Sequence, residues 1–142
     1  MRKEALMITG VGSVAVLMND AHRSAEWYRD KLGFEIVEDK GHIVIVKPKR
    51  SQTLLHLCGK CGAWENDRPG GRTGVWLHCG GVEMREDKKS GQLIPASDPA
   101  DAERTYAELT KKGVEFSEAL ASTSWGKYAI LKDPDGNEFE LS

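Results

Sequence analysis

Two predicted strands each carry one polar side chain between apolar neighbours, and both side chains are of types that act in catalysis or metal binding. Glu140 lies in NEFEL at 137–141, and His56 lies in TLLHL at 53–57. Because side chains alternate between the two faces of a strand, the apolar neighbours face a packed core while these two residues face the other side. A carboxylate and an imidazole can move a proton or bind a metal ion. Glu140 is therefore the candidate catalytic residue.

The elements that carry these residues follow an internal repeat. The predicted helix caps Asp20 and Asp98 lie 78 residues apart, as do Tyr28 and Tyr106. Each half reads as a β-α-β-β-β unit, and duplicated units that cannot cover their own sheets pair with each other. If a pseudo-twofold axis relates the halves, the two polar side chains approach each other in a shared cleft.

Hydrophobic periodicity and turn residues predict the element bounds. The first half has a strand over 11–18, a helix over 21–32 and strands over 34–38, 43–47 and 53–58; the second has a strand over 75–82, a helix over 99–112 and strands over 114–116, 128–132 and 138–141. The sequence predicts a linker over 59–73 and an inserted hairpin or loop over 83–97. We predict one domain over 1–142, with module one over about 8–58 and module two over about 74–142.

Composition excludes several classes of function. With 20 basic and 22 acidic side chains and a formal charge of -2, no overall field attracts nucleic acid. No stretch approaches the roughly 18 apolar residues of a membrane span, and the first residues lack the apolar segment of a signal peptide. The odd number of cysteines, 3, is typical of reduced thiols. The sequence therefore predicts a cytoplasmic protein that binds neither nucleic acid nor membrane.

Two segments resemble a known family. The runs NDAHRSAEWYRDKLGFEIVED at 19–39 and WGKYAILKDPDGNEFEL at 125–141 resemble signature segments of the vicinal oxygen chelate superfamily, which includes glyoxalase I, bleomycin-resistance proteins and extradiol dioxygenases. The resemblance implies an α+β fold in which two βαβββ modules form a cup-shaped mixed sheet with helices outside, often completed as a homodimer. It also implies a divalent metal ion, for which imidazole and carboxylate ligands favour Zn, Ni, Mn, Fe or Co.

The resemblance assigns candidate ligands to positions of this chain. Glu140 falls on the glutamate of the final strand, and His56 falls on the ligand position of the fourth strand. Ser13 stands where the first strand usually carries a histidine, so this chain departs from the family there. The resemblance thus implies a metal site in which one strong ligand is missing.

The first strand of the second module leaves a third ligand open. In GVWLHCGGV at 74–82, either Val75 or Trp76 could occupy the family's ligand position, because a slip of one residue reverses the faces. His78 shares a face with Trp76 and is the third candidate. The predicted metal ligands are therefore His56, Glu140 and His78.

Two functions follow from these residues. The first is a protein that binds a small molecule in the cleft and turns it over as a metal-dependent lyase, isomerase or dioxygenase. The alternative is a metal-free binding or sequestration protein of the bleomycin-resistance type, or a non-catalytic module. Trp64, Trp76 and Trp125, together with Ser13, would then line the ligand site, although a single tryptophan more often packs in a core.

Overall fold

The computed structural model describes residues 7–59, 65–80, 84–95 and 98–142. In chain order the elements are β1 (Ser13–Leu17), α1 (Ala21–Leu32), β2 (Phe34–Asp39), β3 (Ile43–Pro48), β4 (Leu54–Cys58), β5 (Gly71–Leu77), β6 (Met84–Glu86), β7 (Leu93–Pro95), α2 (Pro99–Lys111), β8 (Glu115–Thr123), β9 (Gly126–Lys132) and β10 (Asn137–Leu141). Sheet A has the order β1-β4-β3-β2, and sheet B has the order β5-β10-β9-β8. The predicted α+β fold of two βαβββ modules is confirmed.

Both helices begin at the predicted aspartates. The carboxylate of Asp20 accepts a hydrogen bond from the backbone N–H of Arg23 at 3.1 Å, and that of Asp98 accepts one from Ala100 at 2.9 Å. Such caps satisfy backbone donors that have no partner in the first turn. Helix α1 ends at Gly33, whose φ of 73° is the left-handed conformation that favours glycine.

The internal repeat is visible in the backbone hydrogen bonds. In sheet A, the N–H of Met18 donates to the carbonyl of Cys58 at 2.8 Å, and in sheet B the N–H of Cys79 donates to the carbonyl of Ser142 at 2.6 Å. Each bond extends a parallel pairing of the first and fourth strands of its module. Met18 and Cys79 are therefore structural counterparts.

Strands β5 and β8 differ from the predicted bounds. Strand β5 is Gly71–Leu77, so it begins inside the predicted linker and ends before residue 82, and β8 extends to Thr123. The pairing of β5 with β10 is irregular between Glu138 and Glu140, and Gly74 has a φ of 75°. A glycine can adopt the backbone conformation of such a bulge. The strand therefore continues through glycine-rich residues for which the sequence predicts a linker. The predicted hairpin within 83–97 is confirmed by the pairing of β6 with β7.

One hydrophobic core joins the two modules. The helix-facing sides of both sheets contribute to it, with Leu57 and Val46 from sheet A and Phe139 and Leu131 from sheet B, all fully buried. Tyr28 of α1 lies between them at 0% exposure. The other side of each sheet, here called its open face, therefore points away from this core. Among the described residues, no helix is long and apolar enough to cross a membrane.

Polar contacts close one junction between the modules, here called the first junction. The hydroxyl of Tyr28 donates to the carboxylate of Asp133 at 2.6 Å. The side-chain amide of Asn137 donates to the same carboxylate at 2.9 Å and to the carbonyl of Leu17 at 2.8 Å. The next acid along the turn, Asp135, accepts from the side chain of Ser24 at 3.0 Å. The DPDGN turn at 133–137 thus ties the end of module two to the start of α1.

Burial raises the pKa of Asp133, although hydrogen bonds from Tyr28 and Asn137 act in the opposite direction. A carboxyl group whose pKa is raised in the fold binds more protons folded than unfolded. Its contribution to stability is therefore complete below the unfolded pKa of about 3.9 and is lost as the pH rises through the folded pKa. We expect the Asp133 carboxyl carbon to titrate above pH 3.9 in NMR. The variant Tyr28→Phe should raise the midpoint further, and a midpoint at or below 3.9 would contradict the expectation.

Candidate functional site

The open face of sheet B carries Glu140. This residue lies opposite Trp76 of β5 and Ile130 of β9, so the three side chains share one face. Trp76, and not Val75, is therefore the open-face residue of β5, and Val75 packs against the core. The register that the sequence leaves open is settled by this pairing, and it brings a large aromatic ring beside the carboxylate.

The open face of sheet A is built differently at the matching place. His56 lies opposite Ala15 of β1 and Ile45 of β3. Ser13 is half-buried at the start of β1 and lies opposite Leu54, which puts it on the same face two residues from Ala15. Ala15 is thus the small counterpart of Trp76, and neither residue paired with His56 in sheet A is aromatic.

Three aromatic side chains of sheet B form a stacked group, here called the aromatic cluster. The ring centroids of Trp76 and Trp125 lie 5.6 Å apart with an interplanar angle of 29°. The rings of Trp125 and Tyr128 are 5.1 Å apart at 26°. Offset stacking at these distances is favourable between aromatic rings. Trp125 lies in the turn between β8 and β9, so the cluster spans the sheet from its β5 edge toward that turn.

Most of the surface of the two tryptophans stays in contact with solvent. Trp76 is 54% exposed and Trp125 is 59% exposed. The interpretation of each as a core residue is therefore wrong for these two, since neither is covered by the fold. Trp64 lies outside the described residues. Large apolar rings that are exposed side by side are typical of a surface that binds a ligand or another protein.

Polar groups border the aromatic cluster. The hydroxyl of Tyr128 donates to Glu118 at 3.0 Å, and Arg72 pairs with the same carboxylate at 3.0 Å. The hydrogen bond to Glu118 raises the pKa of Tyr128, and the charge of Glu140 adds to the effect. The side chain of Glu140 has no hydrogen bond or ion pair within the described part of the chain. A carboxylate with unused acceptor capacity therefore lies close to the rings.

The predicted metal ligands are not brought together in one chain. Among residues 7–59, 65–80, 84–95 and 98–142, no three His, Cys, Asp or Glu side chains form a group that could hold a metal ion. His22 alone of the described histidines makes an ion pair, so His56 and Glu140 are not joined. His78 is exposed just beyond the end of β5. The residues paired with His56 and Glu140 on the adjacent strands carry no metal-ligating side chain, so this donor set does not fit a metal ion.

The sequence as a whole matches one family model. The description of that model is Glyoxalase/Bleomycin resistance protein/Dioxygenase superfamily, and the match covers residues 10–141. The chain belongs to this superfamily. The resemblance stated from the two signature runs is thereby confirmed.

Similar proteins agree with membership of the superfamily. The uncharacterized protein YetH of Bacillus subtilis (strain 168) is 25% identical over 136 residues, which span 95% of this chain and 98% of that protein. A superfamily member from Sphaerobacter thermophilus DSM 20745 is 28% identical, with a TM-score of 0.69 over 96% of this chain and 98% of that one. TnmS3, an antibiotic binding protein from Streptomyces sp. CB03234, is 25% identical, with a TM-score of 0.69 over 97% and 98% of the two chains.

Three residues beside the site were not predicted for this superfamily member. Tyr128 is the most informative, because it lies two residues before Ile130 on a predicted strand. Alternation would have placed it on the face of Glu140 once the strand pairing was known. Arg72 and Glu118 lie where the sequence predicts a linker and a stretch without strand, so no pattern pointed to them.

Proposed function

We propose that this protein binds a flat aromatic small molecule on the open face of sheet B. The observation that supports this is the stacking of Trp76 on Trp125 while each ring stays more than half exposed. A flat ligand would extend this stack and cover apolar surface that the fold leaves in water. Binding sites for small molecules typically combine such apolar walls with few polar groups.

Glu140 would orient the ligand. Its carboxylate lies near Tyr128, as the effect on the pKa of that phenol indicates, and it has no protein partner among the described residues. A ligand with an amino group or a protonated ring nitrogen would supply the missing donor, and hydrogen bonds that involve a charge are the stronger ones. The preferred ligand is therefore a flat aromatic cation.

Similarity to TnmS3 supports binding as the primary role, because that protein is an antibiotic binding protein. The proposed role is the metal-free alternative named above, in which the ligand is held without being converted. The lyase, isomerase or dioxygenase activity and the homodimer stay predictions. A thermal-shift scan over divalent ions tests the metal, and sedimentation at several protein concentrations tests the dimer.

Calorimetric titration with 9-aminoacridine, a flat aromatic cation, tests the proposed function. We expect saturable binding to one site per chain and weaker binding of anthracene-9-carboxylate, a flat anion of similar area. The variant Glu140→Gln should reduce the difference between the two probes, since it keeps the shape and removes the charge. If neither flat probe binds the unmodified protein, the proposal is wrong.

A further inference from the structure

A cavity of about 1030 Å³ opens at a second junction between the modules, away from the Tyr28 contacts. Its lining includes helix-facing side chains of both sheets and of α1: Leu32, Leu55, Val75, Leu77, Leu131 and Leu141. Leu55, Leu131 and Leu141 are at most 3% exposed, so the floor of the cavity is buried and apolar. Its size is at the upper end of the roughly 300–1,000 Å³ of small-molecule pockets.

This second junction is the counterpart of the closed first junction in the repeat. The turn before β10 closes the first junction, and the turn before β4, residues 49–53, borders the second. Tyr106 corresponds to Tyr28, yet its ring packs on Phe116 at 4.5 Å within its own module. Thr105 and Leu109 of α2 face the cavity instead. The space that a tyrosine fills on one side is thus left open on the other.

The rim of the cavity is positively charged. Lys49 and Arg50 line it and are exposed. Their side chains make no ion pair or hydrogen bond within the described residues. No aspartate or glutamate lines the cavity in the described part of the chain. An apolar floor below two unpaired cations suits a molecule with an apolar body and a negative head group.

We propose that this cavity binds an amphiphile with one anionic head group, namely a medium-chain carboxylate. Its chain would cover the leucines of the floor, and its head group would pair with Lys49 and Arg50 at the rim. This site differs from the aromatic cluster in face and in charge. Trp76 borders both, while Trp125, Tyr128 and Glu140 do not line the cavity.

Calorimetric titration with decanoate tests the site, with decanol and decylammonium as probes of the same chain length. We expect decanoate to bind to one site per chain and decylammonium to bind at least tenfold more weakly. The double variant Lys49→Ala/Arg50→Ala should weaken decanoate about tenfold, because exposed ion pairs contribute modestly, and should leave decanol unchanged. Both substituted residues are on the surface, so this variant should fold.

A variant that fills the cavity tests whether the apolar chain of decanoate binds there. Thr105→Trp should abolish decanoate binding, while Ala107→Trp, on an exposed position of the same helix, should retain it. Equal affinity of decanoate for the double variant and the unmodified protein would overturn the proposal, as would loss of decanoate binding in Trp125→Ala. A dimer that Thr105→Trp dissociates, with no binding of decanoate, would show that a second copy of the chain fills the cavity and would also overturn it.

Discussion

Replacing Asp133 with alanine should lower the free energy of unfolding by about 3–4 kcal/mol. Asp133 is 5% exposed, and its carboxylate accepts hydrogen bonds from the hydroxyl of Tyr28 and the amide of Asn137. It also accepts from the backbone N–H groups of Asp135 and Asn137. Removing it leaves several donors without an acceptor, and each buried donor left unpaired costs about 1–3 kcal/mol. Equilibrium unfolding in urea, followed by circular dichroism, measures the change.

Two further variants test whether the loss of stability comes from the hydrogen-bond network of Asp133 and not merely from the removal of an acidic residue. Asp67→Ala removes an exposed aspartate and should change stability by less than about 0.5 kcal/mol. Tyr28→Phe removes a single member of the network and should cost less than Asp133→Ala. If Asp133→Ala is as stable as Asp67→Ala, the first junction does not depend on this carboxylate.

Replacing Trp125 with alanine should weaken the binding of 9-aminoacridine by about 10- to 100-fold. Trp125 is the central ring of the aromatic cluster, since it stacks on Trp76 on one side and Tyr128 on the other. Stacking of a flat ring on an aromatic side chain contributes about 1–3 kcal/mol, which corresponds to this change in affinity. Calorimetric titration of the variant beside the unmodified protein measures the loss.

The conservative variant gives the matched comparison. Trp125→Phe keeps a flat ring at the site and should retain most of the affinity, whereas Leu93→Ala removes an exposed apolar side chain of β7 and should have no effect. Because Trp125 is exposed, its removal should leave the unfolding midpoint nearly unchanged. Unaltered affinity in Trp125→Ala would show that the ligand does not stack on this cluster.

Local signals were sufficient to predict the helices. The start of each helix is set by a capping aspartate, Asp20 or Asp98, and the end of α1 is set by Gly33. Each of these residues acts on the backbone within one turn, so the neighbouring sequence is enough to predict the boundary. The start of β5 could not be predicted in this way. Its course through Gly71 and Gly74 depends on hydrogen bonds to β10, some 65 residues later in the chain, as between Thr73 and Glu138.

The site was predictable only in part for a related reason. Alternation placed Glu140 and His56 on open faces, and sheet pairing bears this out. The aromatic cluster depends on which surface the fold leaves uncovered, and Trp125 reaches it from a turn whose conformation no periodic pattern describes. The 78-residue repeat predicts two equivalent halves, yet Tyr28 and Tyr106 make different contacts, because the residues around them are not repeated.

The hydrogen bond between Tyr28 and Asp133 also bears on the order in which the protein is made. The two residues are 105 positions apart, and the acceptor lies in the turn between β9 and β10. While the chain grows on the ribosome, α1 can form early, but the hydroxyl of its buried tyrosine stays without this acceptor until the turn after β9 has been made. The first module therefore reaches its final packing only when the end of the second has emerged.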